Sequence, residues 1–235
     1  MESLQQSAKS FGLALSDRQV EQFRLYWEIL VQRNQQMNLT AITEQNEVET
    51  RHFLDSLALF QVADLKGKRL IDIGTGAGFP GVPLKIAEPS LELTLLDSLA
   101  KRVDFLAEVC EKLALEHVRC LHARAEEWVA EAGERESYDY ATSRAVARLN
   151  MLAELALPYI KVGGAFFAMK TAHAEEEIEE ARAAVELLGG TVEQEYDYKL
   201  PETEATHRIV VIRKIRETPT QYPRRFARIQ KQPLE

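Results

Sequence analysis

The sequence predicts an α/β domain: a seven-strand mixed sheet, its last strand antiparallel, preceded by a helical extension. Three observations carry this. Short apolar runs alternate with helix-period segments from residue 68 to residue 188. The first run, Leu70-Ile71-Asp72-Ile73, contains an acid and leads straight into a glycine-rich turn, Gly74-Thr75-Gly76-Ala77-Gly78-Phe79-Pro80-Gly81. Two alternating segments, 191–199 and 207–215, close the pattern, and the polar loop between them is far too short for a crossover helix, so they pair antiparallel.

Residues 16–37 read as a helix. Ser16 with Gln19 forms a capping box, and Val20, Phe23, Trp27, Leu30 and Val31 recur at helical spacing. Residues 38–43 turn into a second helical start, with Thr43 as the cap before Glu44. A helix pattern over 47–63 follows and contains Arg51-His52-Phe53-Leu54-Asp55-Ser56-Leu57; a lone histidine such as His52 reads first as a satisfied core or surface group. Lys66-Gly67-Lys68 marks a boundary. The chain therefore divides into a helical extension over 1–65, the α/β domain over 66–216 and a basic tail over 217–235. Within the domain, strands are expected at 68–73, 91–96, 118–122, 138–142 and 163–170. Helices are expected at 82–87, stopped by Pro89, and at 101–115, 147–160 and 173–188, the last with Ile178, Ala181, Val185 and Leu188 on one face.

The glycine turn suits a nucleotide-like ligand. Glycine tolerates positive φ and lets a ligand approach bare backbone, and the helix start beyond it has free N–H groups and a positive dipole end. Two registers compete. A dinucleotide fingerprint, G-x-G-x-x-G, fails from Gly74, because position 79 is Phe. It matches from Gly76, but two residues late and with Pro80 crowding the turn. The alternative, D-x-G-x-G-x-G with Asp72 as the acid, resembles the first motif of class I S-adenosylmethionine (AdoMet) methyltransferases, whose sheet is Rossmann-like. There the loop backbone, here Gly74 and Gly76, meets the amino-acid portion of the cofactor while the acid orients the loop. Asp97 ends strand two, 23 residues past Gly74, where a carboxylate accepts hydrogen bonds from a ribose diol of either cofactor. After strand three, Ala125 can offer its backbone, and Glu126 its backbone or carboxylate, to an adenine amino group. The closing hairpin separates the two readings. An NAD domain would continue with a parallel sixth strand, whereas five βα units and an antiparallel hairpin are the class I methyltransferase plan.

Composition is ordinary for a globular chain of 235 residues, with 46% hydrophobic and 28% charged residues. No apolar run approaches the roughly 20 residues of a membrane helix, and Met1-Glu2-Ser3-Leu4-Gln5-Gln6 lacks the start of a signal peptide. Cys110 and Cys120 lack C-x-x-C spacing and read as reduced thiols, so a cytoplasmic location, no membrane partner and no metal site are expected. Net charge is −8, yet residues 213–231 hold seven cations against Glu217 alone, a local excess of +6 that leaves −14 on the rest. A basic tail on an acidic body suggests a polyanion contact, and Tyr222 and Phe226 among the arginines suggest stacking on bases.

Taken with Asn38-Leu39-Thr40-Ala41-Ile42, the Arg51–Leu57 segment, the glycine turn, Leu96-Asp97-Ser98, Ser143-Arg144-Ala145 and Tyr222-Pro223-Arg224-Arg225, the chain closely resembles the RsmG (GidB) family along its whole length. The resemblance implies AdoMet-dependent methylation of N7 of one guanine in the decoding region of 16S ribosomal RNA. The substrate would be 16S rRNA in the small subunit or its assembly intermediate; a monomer is expected, though not from the resemblance. It places cofactor contacts on Gly74, Phe79, Ala125, Glu126 and Arg144.

The residues agree with that chemistry. The loop after strand four reads Ser143-Arg144-Ala145-Val146. It is neither the Asn-Pro-Pro-Tyr type used on exocyclic amines nor a Pro-Cys nucleophile for pyrimidines. Guanine N7 needs neither device, because its lone pair is free at neutral pH and the enzyme has only to align it. Arg144 is the candidate to contact cofactor or phosphate on the target side, and Lys170, at the end of strand five, is a second phosphate candidate. Two other classes stay open on sequence alone: an NAD-linked oxidoreductase, and a non-enzymatic RNA-binding module on the same fold.

Overall fold

The strands are β1 (Arg69–Ile73), β2 (Glu92–Asp97), β3 (Val118–His122), β4 (Tyr138–Arg144), β5 (Ile160–Thr171), β6 (Gly190–Lys199) and β7 (Thr206–Lys214). They form one sheet in the order β3-β2-β1-β4-β5-β7-β6. The computed structural model describes residues 1–144, 147–171, 174–201 and 203–235. Pairings among β1 to β5 are parallel, while β7 runs antiparallel to both neighbours, β5 and β6. The antiparallel last strand is thus slotted between β5 and β6.

Helices cover both faces: α1 (Glu2–Ala8), α2 (Asp17–Met37), α3 (Gln45–Val48), α4 (Asp55–Leu57), α5 (Gly81–Ala87), α6 (Ala100–Lys112), α7 (Ala125–Trp128), α8 (Leu149–Ala156), α9 (Glu175–Leu187) and α10 (Phe226–Lys231). The central strands alternate between two buried layers. Ala165, Phe167 and Met169 of β5 face the layer shared with α2, α5 and α6, while Phe166 and Ala168 face the layer shared with α8 and α9. β7 repeats the pattern, with Ile209 and Val211 on one side and Val210 and Ile212 on the other. Burial on both faces explains why these strands read as nearly continuous apolar runs.

The capping box at α2 forms as expected, with Ser16 as N-cap. Gln19 does more than cap: its Nε2 also donates to the carbonyls of Ile86 (2.8 Å) and Ala87 (2.9 Å), closing the C-terminus of α5. Two expectations change. Glu44, with extended backbone, is the N-cap of α3, not Thr43. The single helix over 47–63 is instead α3, a π-helical stretch Glu49–Leu54, α4 and a 3-10 turn Ala58–Gln61. The widened stretch coincides with tertiary ties: buried Glu49 accepts from the Met1 amine (2.5 Å) and the Leu4 N–H (3.2 Å). Those partners lie more than 40 residues away in sequence, so local periodicity does not report them.

Candidate active site

The glycine turn leaves β1 with positive φ at Gly74 (68°), Gly76 (60°) and Gly78 (100°). The glycines serve different ends. A Cβ on Gly78 would stand 2.7 Å from the Tyr26 hydroxyl, and one on Gly81 would stand 2.5 Å from Leu95 and 2.8 Å from Asp72. Those two are packing glycines. At Gly76 an added Cβ meets nothing within 4 Å, so the backbone there is bare. Asp72 is fully buried, and its Oδ2 accepts from the Thr75 hydroxyl (2.7 Å) and the Gly81 N–H (2.8 Å). The anion expected at the start of α5 is therefore the chain's own carboxylate. Burial pushes the Asp72 carboxyl up to about 6, against those hydrogen bonds and the charge of Arg144. Tyr26 of α2 donates to the Ala77 carbonyl, so the helical extension holds the turn from outside.

Five of the six N–H groups from Gly74 to Phe79 are bonded within the protein. The carbonyls of Gly74 and Gly76 accept nothing among the described residues. The turn thus offers oxygen acceptors to a ligand, which suits an ammonium group. It borders a cavity of about 400 Å³, also lined by Leu39, Thr40, His52, Phe79, Asp97 and Arg144. Asp97 ends β2, where Oδ2 accepts from Gly76 N–H (2.9 Å) and Oδ1 from Leu99 N–H (2.9 Å). Oδ2 also meets Arg102 Nη1 at 3.4 Å, so Oδ1, with a single bond accepted, is the oxygen that keeps clear capacity for a diol hydroxyl. Carbonyl acceptors at one end and a carboxylate at the other fit the amino-acid and ribose portions of AdoMet.

Arg144, at the end of β4, is the hub. Nη1 donates to Asp55 Oδ2 (2.9 Å) and to the Arg51 carbonyl (3.2 Å), and Cζ lies 4.9 Å above the Phe79 ring. Nη2 lies 3.3 Å from His52 Nδ1. His52 stacks on Phe79 with ring centroids 4.5 Å apart and meets the Thr40 hydroxyl at 2.8 Å through Nε2. Burial and the charge of Arg144 push His52 down to about 4, so it stands as a neutral imidazole at physiological pH. On the far side of Arg144 and His52 lies a second cavity, of about 550 Å³, bordered by Asp55, Met169, Tyr198 and His207. Arg144 and His52 line both cavities and form the wall between them.

The other expected residues fall as follows. Phe79 lines the glycine-turn cavity with its ring covered by His52 and Arg144. Ala125 and Glu126 open α7 beyond β3, and the Ala125 carbonyl is taken by the Tyr159 hydroxyl (2.6 Å). A contact from Ala125 is left to its N–H. Lys170 borders the second cavity, but its ammonium is held by Glu177 and the Ala147 carbonyl, both at 2.6 Å. Ala145 and Val146 lie outside the described residues. Part of the basic run is spoken for: Arg224 forms a two-pronged pair with fully buried Glu154 (2.8 and 2.6 Å), and Lys214, at the end of β7, is buried against Glu136 and Thr218. Tyr222 and Phe226 are half-buried, packed against the core layer of α8 and α9. Arg225, Arg228 and Lys231 remain exposed.

Sequence reasoning missed His52, Asp55, Tyr198 and His207 as cavity residues. The Arg51–Leu57 segment was a visible signal for the first two. Nothing local marks the others.

A class I fold with carbonyl acceptors, a strand-two carboxylate and a second cavity across a shared wall defines an AdoMet-dependent methyltransferase. Solved structures support the fold: a SAM-dependent methyltransferase from Aquifex aeolicus superposes with a TM-score of 0.56 at 16% identity, covering 74% of this chain and 96% of that one. TYW2 from M. jannaschii, solved with AdoMet, gives 0.55 at 13% identity, covering 73% of this chain and 78% of that one. The family described as GidB, rRNA small subunit methyltransferase G, matches residues 19–206. Proteins named ribosomal RNA small subunit methyltransferase G are 49% identical over 99% of this chain and 98% of theirs in Alkaliphilus metalliredigens, and 48% identical over 100% and 99% in Bacillus cereus. The chain belongs to the GidB family, which sets aside the NAD-linked and non-enzymatic readings.

Proposed function

We propose that this chain transfers the methyl group of AdoMet to N7 of a single guanine in 16S rRNA, in the decoding region of the small ribosomal subunit or of an assembly intermediate. It acts as a cytoplasmic monomer. The observation that carries the reading is that Arg144 and neutral His52 line both the glycine-turn cavity and a second cavity of about 550 Å³, roomy enough for a base. No general base faces the wall from the glycine turn, and N7 alkylation requires none. AdoMet, when bound, supplies an electrophilic methyl carbon on a sulfonium. The Gly74 and Gly76 carbonyls and Asp97 orient it. Asp55 offsets the charge of Arg144, so the wall places no uncompensated cation beside the reacting centre. The wall's remaining tasks are to hold N7 and the methyl carbon in line, at roughly 3–3.5 Å, and to keep water out.

Residues 1–65 act as a cap that steadies the glycine turn, residues 66–216 as the transfer domain and residues 217–235 as a strap that leaves Arg225, Arg228 and Lys231 for RNA. Among the described residues no helix is long and apolar enough to cross a membrane. The test uses small subunits, and 16S rRNA extracted from them, from cells lacking the gene, incubated with labelled AdoMet. Label in 7-methylguanosine at one site supports the reading. Label in another nucleoside, or none while AdoMet still binds, refutes it.

A further inference from the structure

We propose that His207 reads the Watson–Crick edge of the acceptor guanine in the second cavity, its Nε2 accepting the N1–H; the inference rests on the guanine-N7 reading above. His207 lies on β7, where it pairs in register with Thr171 of β5 and Tyr198 of β6. Its Nδ1 stands 3.0 Å from Asp55 Oδ1, which also accepts from the Tyr198 hydroxyl at 2.7 Å. Asp55 Oδ2 is held by Arg144 at 2.9 Å. Nδ1 thus faces Asp55, and in the tautomer that carries its proton there the lone pair is on Nε2, on the other side of the ring. His207 borders the second cavity, and no partner for Nε2 occurs among the described residues.

The placement fits the shape of the base. Arg144 and His52 line both cavities, whereas His207 lines only the second. A guanine seated with N7 toward the shared wall directs its N1–H roughly at right angles to the N7 lone pair, along that wall, where His207 sits joined to Arg144 through Asp55. The contact selects among purines, because adenine presents a lone pair at N1, which would face the lone pair of Nε2. It also strengthens during transfer. The N7 lone pair forms the new C–N bond, the C–S bonding pair stays on sulfur as the sulfonium becomes a neutral thioether, and the base acquires the positive charge. No proton has to leave. The N1–H becomes more acidic as that charge develops, so its hydrogen bond to imidazole is worth more in the transition state than in the ground state.

Single-turnover transfer to unmethylated small subunits, with saturating AdoMet, compares the wild-type chain with His207→Ala and His207→Gln. The expected loss for H207A is on the order of 10- to 100-fold, the scale of one well-placed buried hydrogen bond, with AdoMet affinity within about twofold of wild type. Gln restores an acceptor oxygen near Nε2, so H207Q recovers most of the loss. A rate within threefold of wild type for H207A overturns the inference, as does an equal loss in both variants, which would make His207 a packing residue. Should H207A fail to fold, histidine 15N signals of the wild-type chain give a second reading. 7-Methylguanosine monophosphate shifts the His207 Nε2 signal and adenosine monophosphate does not; equal responses, or none at millimolar ligand, overturn the inference. Absence of 7-methylguanosine with the wild-type chain overturns the parent reading and this one together, whereas the variant and resonance results bear on His207 alone.

Discussion

Replacing Asp72 with asparagine tests whether the acid that anchors the glycine turn is strained by its burial. The amide keeps an oxygen for the Thr75 hydroxyl and the Gly81 N–H, and puts its NH2 where Oδ1 now has no partner. The Asp72 carboxyl is pushed up to about 6 from an ordinary 3.8, chiefly by burial. An acid whose folded pKa is raised binds more protons folded than unfolded between those values. Its contribution is full below the unfolded pKa and is lost as pH rises through the folded one. Wild type should therefore gain roughly 1.4 kcal/mol relative to D72N between pH 7 and pH 5. The raw curve of wild type will not show this cleanly. His52, pushed down to about 4, has the opposite sign and loses stability as pH falls from its unfolded range through that value. The difference between wild type and D72N cancels His52. Urea unfolding at the two pH values, followed by fluorescence of the two tryptophans, supplies the measurement. A wild-type minus D72N difference that stays constant within about 0.3 kcal/mol across the two pH values, well under the shift expected from linkage, refutes the claim that Asp72 is a desolvated carboxylate.

Gly76→Val puts a branched side chain at φ +60° and into the open space beside the turn. It should lower stability by about 1–2 kcal/mol and AdoMet affinity by at least tenfold in calorimetry; an unchanged Kd would remove Gly76 from the cofactor site. Arg224→Ala strands fully buried Glu154, so a loss of about 3–5 kcal/mol in denaturant unfolding is expected; a loss under about 1 kcal/mol would show that Glu154 is solvated once freed. The double variant Arg225→Ala/Arg228→Ala should keep stability within about 0.5 kcal/mol and reduce the log–log salt slope of RNA binding by about 1.5 to 2. An unaltered slope would take both residues out of the RNA interface. Arg144→Ala removes a charge that helps hold His52 down, so the His52 titration followed by NMR should move upward from about 4. A titration that does not move would mean that burial alone sets it.

What was legible in the sequence was what is local. The Ser16–Gln19 cap, the acid–glycine turn and Asp97 at a strand end depend on spacings of a few residues or on one βα unit, and each stands where its spacing put it. Pairing is not local. Summing charge over residues 213–231 treated Arg224 as free, yet its carboxylate partner Glu154 lies 70 residues away. The same sum counted Lys214, which burial has pushed down to about 8 against the pull of Glu136. A run of cations is a surface only when the fold supplies no acids beneath it. Here α8 and the turn before β4 supply them.

The two halves of the site differ for the same reason. Everything that borders the glycine turn through backbone or carboxylate comes from β1, β2 and the turns after them, a contiguous stretch with a spacing signature. The second cavity is assembled from distant pieces: Arg144 reaches Asp55 across 89 positions and Tyr198 reaches it across 143. Asp55 comes from the helical extension, and Tyr198 and His207 from the closing hairpin. The hairpin that discriminated between cofactor classes as a topological feature is therefore also what builds the second cavity, the proposed acceptor side, because slotting β7 between β5 and β6 brings His207 beside Thr171 and Tyr198. If the cofactor half is a property of the fold class and the acceptor half of these additions, substrate choice can change by altering Asp55, Tyr198 and His207 while the glycine turn is left untouched. Variants at those three positions should accordingly move transfer rate and base preference, and variants at Gly74, Gly76 and Asp97 should move AdoMet affinity, with Arg144 and His52 the residues where both respond.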